Sequence, residues 1–183
     1  MAHPLEWARS AVGRADPRIR LADRVAAYLR ERLPDDHLVL SRYAPRDGGE
    51  RVSVVVIGRD GLVVVEPRDE EGDLSCYQDH WYRSIDGNIA HPLGDAPSTR
   101  ARANAARVKR DLGTGGVSNV KVEALVVLTR ARPADVRSSC VPVIAGLDPL
   151  VRLFLQRGSA APSPERTRAL ADALAHPIKL AVI

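Results

Sequence analysis

Glu66 and Arg68 stand two residues apart where an apolar run, LVVV over 62–65, comes to an end. A second apolar run, Val52-Ser53 followed by VVVI, precedes it across Gly58-Arg59-Asp60-Gly61. A carboxylate and a cation emerging together from paired strands suit metal-assisted hydrolysis of a phosphodiester. That chemistry takes two or more carboxylates to hold Mg²⁺ and a cation to offset charge in the transition state. Glu66 supplies one acid and Arg68 the cation. Asp23, set off the apolar stripe of an upstream helix, supplies another acid from the side. On the first strand, the position suited to a further acid holds Ser53.

The two runs read as a hairpin, and its register decides which residues meet. If Gly58 pairs with Gly61, Ser53 faces Glu66. If Asp60-Gly61 forms the two-residue turn, as that dipeptide favours, Ser53 faces Arg68. Side chains alternate faces along a strand, so Ser53, Glu66 and Arg68 share a face in either case. Directly opposed residues have Cβ atoms about 4.5–5.5 Å apart. Pro67 lacks the N–H that a central strand donates, which places it at an edge, a bulge or a strand end.

The elements that hold this hairpin follow from hydrophobic period and punctuation. Asp16-Pro17 starts a helix by capping, and Leu21, Val25 and Leu29 recur at helical spacing until Pro34 ends the run. His37–Tyr43 reads as a strand and Arg46-Asp47-Gly48-Gly49 as a turn. The acidic run Asp69-Glu70-Glu71-Gly72 reads as a solvated turn. Short strands follow over Asp73–Cys76 and Gln78–Ser84, and Asp86-Gly87 turns the chain into Asn88–His91. A helix runs from Ser98 to about Leu112 and stops at Gly113–Gly116. Val122–Leu128 is a buried strand, Val141–Ala145 another, and helices open at Asp148-Pro149 and Ser163-Pro164. The order α-β-β-β-β-β-α-β-β-α-α describes an α/β (α+β) domain, a mixed central β-sheet flanked by helices. Residues 1–15 form an N-terminal extension and 16–183 a single domain.

The chain has 183 residues, enough for one substantial core, and a formal net charge of +4. That charge permits an acidic partner such as nucleic acid. The helix after Pro97 concentrates it: Arg100, Arg102, Arg107, Lys109 and Arg110 precede its first acid, Asp111. These five are the candidate phosphate contacts, a kind of contact that gives affinity without sequence specificity. Cys76 and Cys140 lack metal-type spacing and read as free thiols, and none of the five histidines has ligand spacing. Trp81 and Tyr82 read as packing residues. Gly113-Thr114-Gly115-Gly116 follows a helix and lacks the Gly-Lys-Ser ending of a phosphate loop. No segment approaches a membrane span or a signal core, so a cytoplasmic location is expected.

In their order and spacing these features resemble the nuclease-related domain family, a branch of the restriction-endonuclease-like superfamily, over about Leu21–Leu174. Ala22-Asp23 stands where that pattern has Gly-Glu, Val52-Ser53 where it has Ile-Asp, and Glu66-Pro67-Arg68 where it has Glu-x-Lys. Gly72, Trp81 and His91-Pro92-Leu93 follow in order, then a helix carrying glutamine or lysine near its start. That last position aligns with Arg100, although the spacing from Pro92 selects Asp95 instead. The later strand ALVVLTR and the closing helices also look like this family.

The resemblance implies a restriction-endonuclease-like core, and Mg²⁺ on Asp23 and Glu66 if the site is active. It also implies bacterial phage-defence settings, in which such domains stand alone or are joined to kinase or helicase modules. The departures bear on the chemistry: Ser53 replaces an acid, and Arg68 is a planar fork where a lysine is a point charge. The expected function is a nuclease-related domain that binds nucleic acid or regulates a partner, with phosphodiesterase activity lost or attenuated. The alternatives are an active Mg²⁺-dependent nuclease and a protein-interaction module with no nucleic-acid role.

Overall fold

A computed structural model describes residues 16–58, 61–86, 90–157 and 164–175. The expected extension over 1–15, the Arg59-Asp60 turn, Gly87–Ile89 and Ser163 lie outside them. The helices are α1 (Pro17–Arg32), α2 (Pro97–Thr114), α3 (Leu147–Gln156) and α4 (Pro164–Leu174). The strands are β1 (Leu38–Tyr43), β2 (Val52–Gly58), β3 (Gly61–Arg68), β4 (Asp73–Tyr77), β5 (His80–Ser84), β6 (His91–Pro92), β7 (Val122–Leu128), β8 (Arg132–Asp135) and β9 (Val143–Ala145). None of the helices among these residues is long and apolar enough to cross a membrane.

The main sheet has the order β1-β2-β3-β7-β9. Its first three strands run antiparallel, whereas β3–β7 and β7–β9 are parallel. Every residue of β3 is buried, as expected of a central strand covered on both faces. Val54, Val56, Val63, Val65, Leu125 and Val127 face α1 and α3. Val55, Ile57, Leu62 and Val64 face α2 and α4. A second sheet, β6-β5-β4-β8, adds a satellite core in which Leu74, Cys76 and Trp81 meet Val126 and Leu128 of β7.

Local chemistry explains most element boundaries. Asp16 caps α1 by accepting from Arg18 N–H at 2.9 Å, with Pro17 in the first turn. The C-terminal stop of α2 falls at Gly115. In two places the sequence misleads. The exposed strand β8 (RPAD) has no apolar alternation to announce it and is recruited by parallel pairing with β4. The strand expected over Val141–Ala145 begins at Val143; of the one expected over Asn88–His91, Asn88 and Ile89 lie outside the described residues, and β6 takes in His91 with Pro92.

The hairpin register is the one with Gly58 opposite Gly61. Leu62 N–H and Thr129 N–H, bonded to Lys121 O and Arg68 O, show that the even-numbered residues of β3 point their backbone groups at β7. Pro67 therefore turns its missing donor towards β2, where the antiparallel ladder has already stopped at Val54–Val65. The parallel ladder to β7 continues through Pro67 to Arg68. Pro67 marks a strand end on one side only.

Gly61 makes that register possible. Its φ is +132°, and a Cβ there would come within 2.2 Å of Lys121 O. Gly113, inside α2, has open space where a Cβ would sit. The two glycines should therefore respond with opposite signs in urea melts. Gly61→Ala is expected to destabilise the fold by more than about 1 kcal/mol, and Gly113→Ala to stabilise it by about 0.5–1 kcal/mol.

Candidate functional site

Glu66 is only 3% exposed, an unusual state for a carboxylate. The strand fixes its direction: with Leu62 and Val64 on the α2 side, alternation turns Glu66 and then Arg68 the same way. Ser53 Oγ donates to Glu66 Oε2 at 3.0 Å, as the observed register requires. From the first turns of α2, Arg100 donates to Glu66 Oε1 through Nε at 2.9 Å and Nη2 at 2.6 Å. Both carboxylate oxygens thus have charged or hydroxyl donors. Burial pushes the Glu66 carboxyl upward, against the pull of Arg100, Ser53 and Arg68.

The network continues away from Glu66. Arg100 Nη1 lies 3.1 Å from Asp95 Oδ2, and the same oxygen accepts from Arg68 Nη1 at 2.7 Å and Arg18 Nη2 at 3.2 Å. Arg68 also donates through Nε to Glu70 at 3.1 Å and pairs with it again through Nη2. Burial works to raise the Asp95 carboxyl, but the bond from Arg68 and the charges of Arg68, Arg100 and Arg18 outweigh it. They hold Asp95 below the usual aspartate range. Ser53, Glu66, Arg100, Asp95, Arg68 and Glu70 form one chain of alternating donors and acceptors.

Several expectations are sharpened here. Arg100 and Asp95, the two competing alignments at the helix start, are both in the network and ion-paired with each other. Arg68 takes Glu70 and Asp95 as its partners, while Arg100 takes Glu66. Glu70 belongs to the acidic run expected to be solvated, yet its side chain is 20% exposed and tied to Arg68. Asp23 is exposed on α1, and Ala22, its neighbour, lines the cavity that also meets Ser53 and Glu66.

The five basic residues of α2 divide by environment. Arg100 is committed to Glu66 and Asp95. Arg107 forks onto Asp47 of the β1–β2 turn at 2.9 and 2.5 Å and also bonds Glu50 O and Asn104. Arg110 is exposed and 3.8 Å from Asp47. Arg102 and Lys109 are exposed, have no ion pair among the described residues, and line a groove floored by Val122, Ala124, Val141 and Pro142. Arg18 is an addition, because its charge has no periodic or motif context in the sequence.

A mixed sheet whose central strand ends in Glu-Pro-Arg, with α1 on one face and α2 on the other, defines a restriction-endonuclease-like α+β fold. The profile of the nuclease-related domain family (NERD) matches residues 19–129, and the chain belongs to that family. The match runs from α1 to the residue after β7, so β8, β9, α3 and α4 lie beyond it. No curated protein and no solved structure matches the chain.

Family membership raises a divalent cation as the natural cofactor, but the side chains here do not fit one. Hard cations take several oxygen ligands. Glu66 directs both its oxygens at protein donors, Ser53 offers a hydroxyl already donated, and Asp95 is surrounded by three arginines. Among the described residues, no three His, Cys, Asp or Glu side chains group as metal ligands.

The depressed Asp95 carboxyl has a measurable consequence. Its folded-state pKa lies below the unfolded value of about 3.9, so its contribution to stability is full above that pH. The contribution is lost as pH falls through the folded value. Glu66, shifted the other way, does not share this signature. Denaturant melts of Asp95→Asn are expected to show a shallower loss of stability below about pH 4 than wild type. An unchanged acid limb would mean that the arginines do not hold Asp95 ionised.

Proposed function

We propose that this domain keeps the nuclease fold but engages nucleic acid without cutting it. The observation that carries this reading is the Arg100 fork on Glu66, at 2.9 and 2.6 Å on one oxygen, with Ser53 on the other. A guanidinium and a hydroxyl occupy the carboxylate that a metal would need. The nearest companion position, Ser53, has no charge with which to draw a cation in. Affinity for nucleic acid is assigned to Arg102 and Lys109, which project from α2 with no carboxylate partner among the described residues. Phosphate contacts of this kind need only exposed cations at a suitable spacing.

Two measurements test the loss of cleavage. Incubation of labelled DNA and RNA with Mg²⁺ or Mn²⁺ is expected to leave both intact with wild type and with Glu66→Ala. Metal-dependent cleavage by wild type that disappears in Glu66→Ala would overturn the reading. The double variant Ser53→Asp with Arg100→Gln supplies a second acid and withdraws the competing cation. Its melting temperature is expected to rise with Mn²⁺, whereas that of wild type should stay constant.

The binding half has its own readout. Double substitution of Arg102 and Lys109 by Ala is expected to weaken binding to duplex DNA and to lower the salt slope by about two, one per phosphate contact. Arg107→Ala is expected to lower stability instead, by freeing Asp47 and Glu50 O. A salt slope unchanged by the double substitution would remove α2 as the phosphate-binding face.

A further inference from the structure

Arg42 combines two features that the network around Glu66 leaves unexplained. Its φ is +55°, in the left-handed region that a non-glycine residue seldom adopts. Its Nε is buried and has no hydrogen-bond partner among the described residues. An unpaired buried donor costs free energy, and strained backbone tends to persist where a site needs a particular side-chain direction. Strand alternation shows what the strain achieves. Val39 faces the α1 cluster and Leu40 packs against the α2 cluster, so Tyr43 should face α1, yet Tyr43 and its partner Val52 both join the α2 cluster. The face switch falls at Arg42. The flanking pairs Ser41–Val54 and Tyr43–Val52 bracket it beside Ser53.

The pocket at this switch lies between the N-terminal part of α1 and the adjoining ends of β1 and β2. Arg18, Arg42, Arg51 and Arg100 line it, against Asp16, Glu50 and Glu66. Two of the three acids are spoken for, and the third, Glu50, is exposed to water, which screens its charge. Glu66 is held by Arg100 and Ser53, and Asp16 caps α1. Arg100 is likewise committed and Arg18 pairs with Asp95 at 3.2 Å, leaving Arg42 and the exposed Arg51 as available donors. Arg51 is steered there by Nη1, which donates to Arg42 O at 3.2 Å.

We propose that this pocket binds a phosphate group, with Arg42 as its principal donor and Arg51 beside it. A tetrahedral anion in the pocket gives the Arg42 guanidinium an acceptor, and charge-assisted bonds from guanidinium to phosphate are the strong kind. The site thereby exchanges a cation pocket for an anion pocket next to the same strand end. As part of a nucleic-acid surface, the pocket rests on the reading of the domain given above. The phosphate enters either as a strand's terminal phosphomonoester or as an internal phosphodiester.

The test begins with inorganic phosphate, which needs no nucleic acid. At constant ionic strength set with chloride, phosphate is expected to raise the melting temperature of wild type and of the surface control Arg152→Gln. Arg42→Gln should abolish the rise and Arg51→Gln reduce it; the exposed Arg51 position covers the case in which Arg42→Gln does not fold. Fluorescent single strands bearing a 5′-phosphate or a 5′-hydroxyl separate the two sources. About tenfold weaker binding of both strands by the Arg42 and Arg51 variants would assign an internal phosphodiester. Weakening of the phosphorylated strand alone would assign the terminus. A phosphate response and strand affinities that match wild type in both variants would overturn the pocket while leaving the nucleic-acid reading in place. An Arg42-dependent phosphate response with no strand bound by wild type would uphold the pocket and overturn that reading.

Discussion

The burial of Glu66 at the end of the central strand is the constraint on which the rest of the site depends. A carboxylate excluded from water is tolerated only with a charged partner and with its lone pairs satisfied. Arg100 meets that need from α2, so the helix must approach the strand end closely and in a fixed rotation. Asp95 then balances the outer side of Arg100, and Arg68 and Arg18 balance Asp95. Removing one member of such a buried pair generally costs about 3–5 kcal/mol, because the other is left uncompensated. The network therefore ties α1, β2, β3, the loop before α2 and α2 itself into one end of the molecule. The opposite end of the sheet has a smaller set of ion pairs, in which Glu123 of β7 meets Lys121 and Arg157.

How far the sequence disclosed this depends on the range of the interaction. Hydrophobic period placed α1, β2, β3, α2 and β7, because each buries a continuous apolar face and local composition reports that directly. The Ser53–Glu66 contact followed from strand pairing once the register with Gly58 opposite Gly61 was chosen. The strand β8 escaped because all four of its residues are exposed and only its ladder to β4 makes it a strand. Glu70 looked solvated because a run of acids after a strand carries no sign of a partner. Its partner, Arg68, was visible two residues away, but the bond depends on how the chain turns after Arg68. Arg18 and Arg42 were beyond sequence reasoning, since one depends on helix placement and the other on a single backbone angle.

The same site explains why arginine, and not lysine, suits these positions. Arg100 reaches two carboxylates at once, with Nε and Nη2 on Glu66 and Nη1 on Asp95. Arg68 does likewise with Glu70 and Asp95. A planar fork holds both partners in fixed directions, whereas an ammonium on a flexible stem spreads its donors around a point. Two forks sharing one aspartate make a rigid lattice of charges.

Ser53 gives this arrangement its logic. An aspartate at that position would stand directly opposite Glu66, and two carboxylates so close repel one another unless a cation lies between them. Arg100 could not serve both acids and Asp95 without leaving one underpaired. With serine there, Glu66 needs only one positive charge and one hydroxyl, and the fork of Arg100 together with Ser53 Oγ supplies them. The neutral hydroxyl and the arginine on α2 are thus two halves of one electrostatic solution. Each makes the other tolerable, and on the proposed reading they stand in for the carboxylate pair and metal that this strand end would otherwise hold.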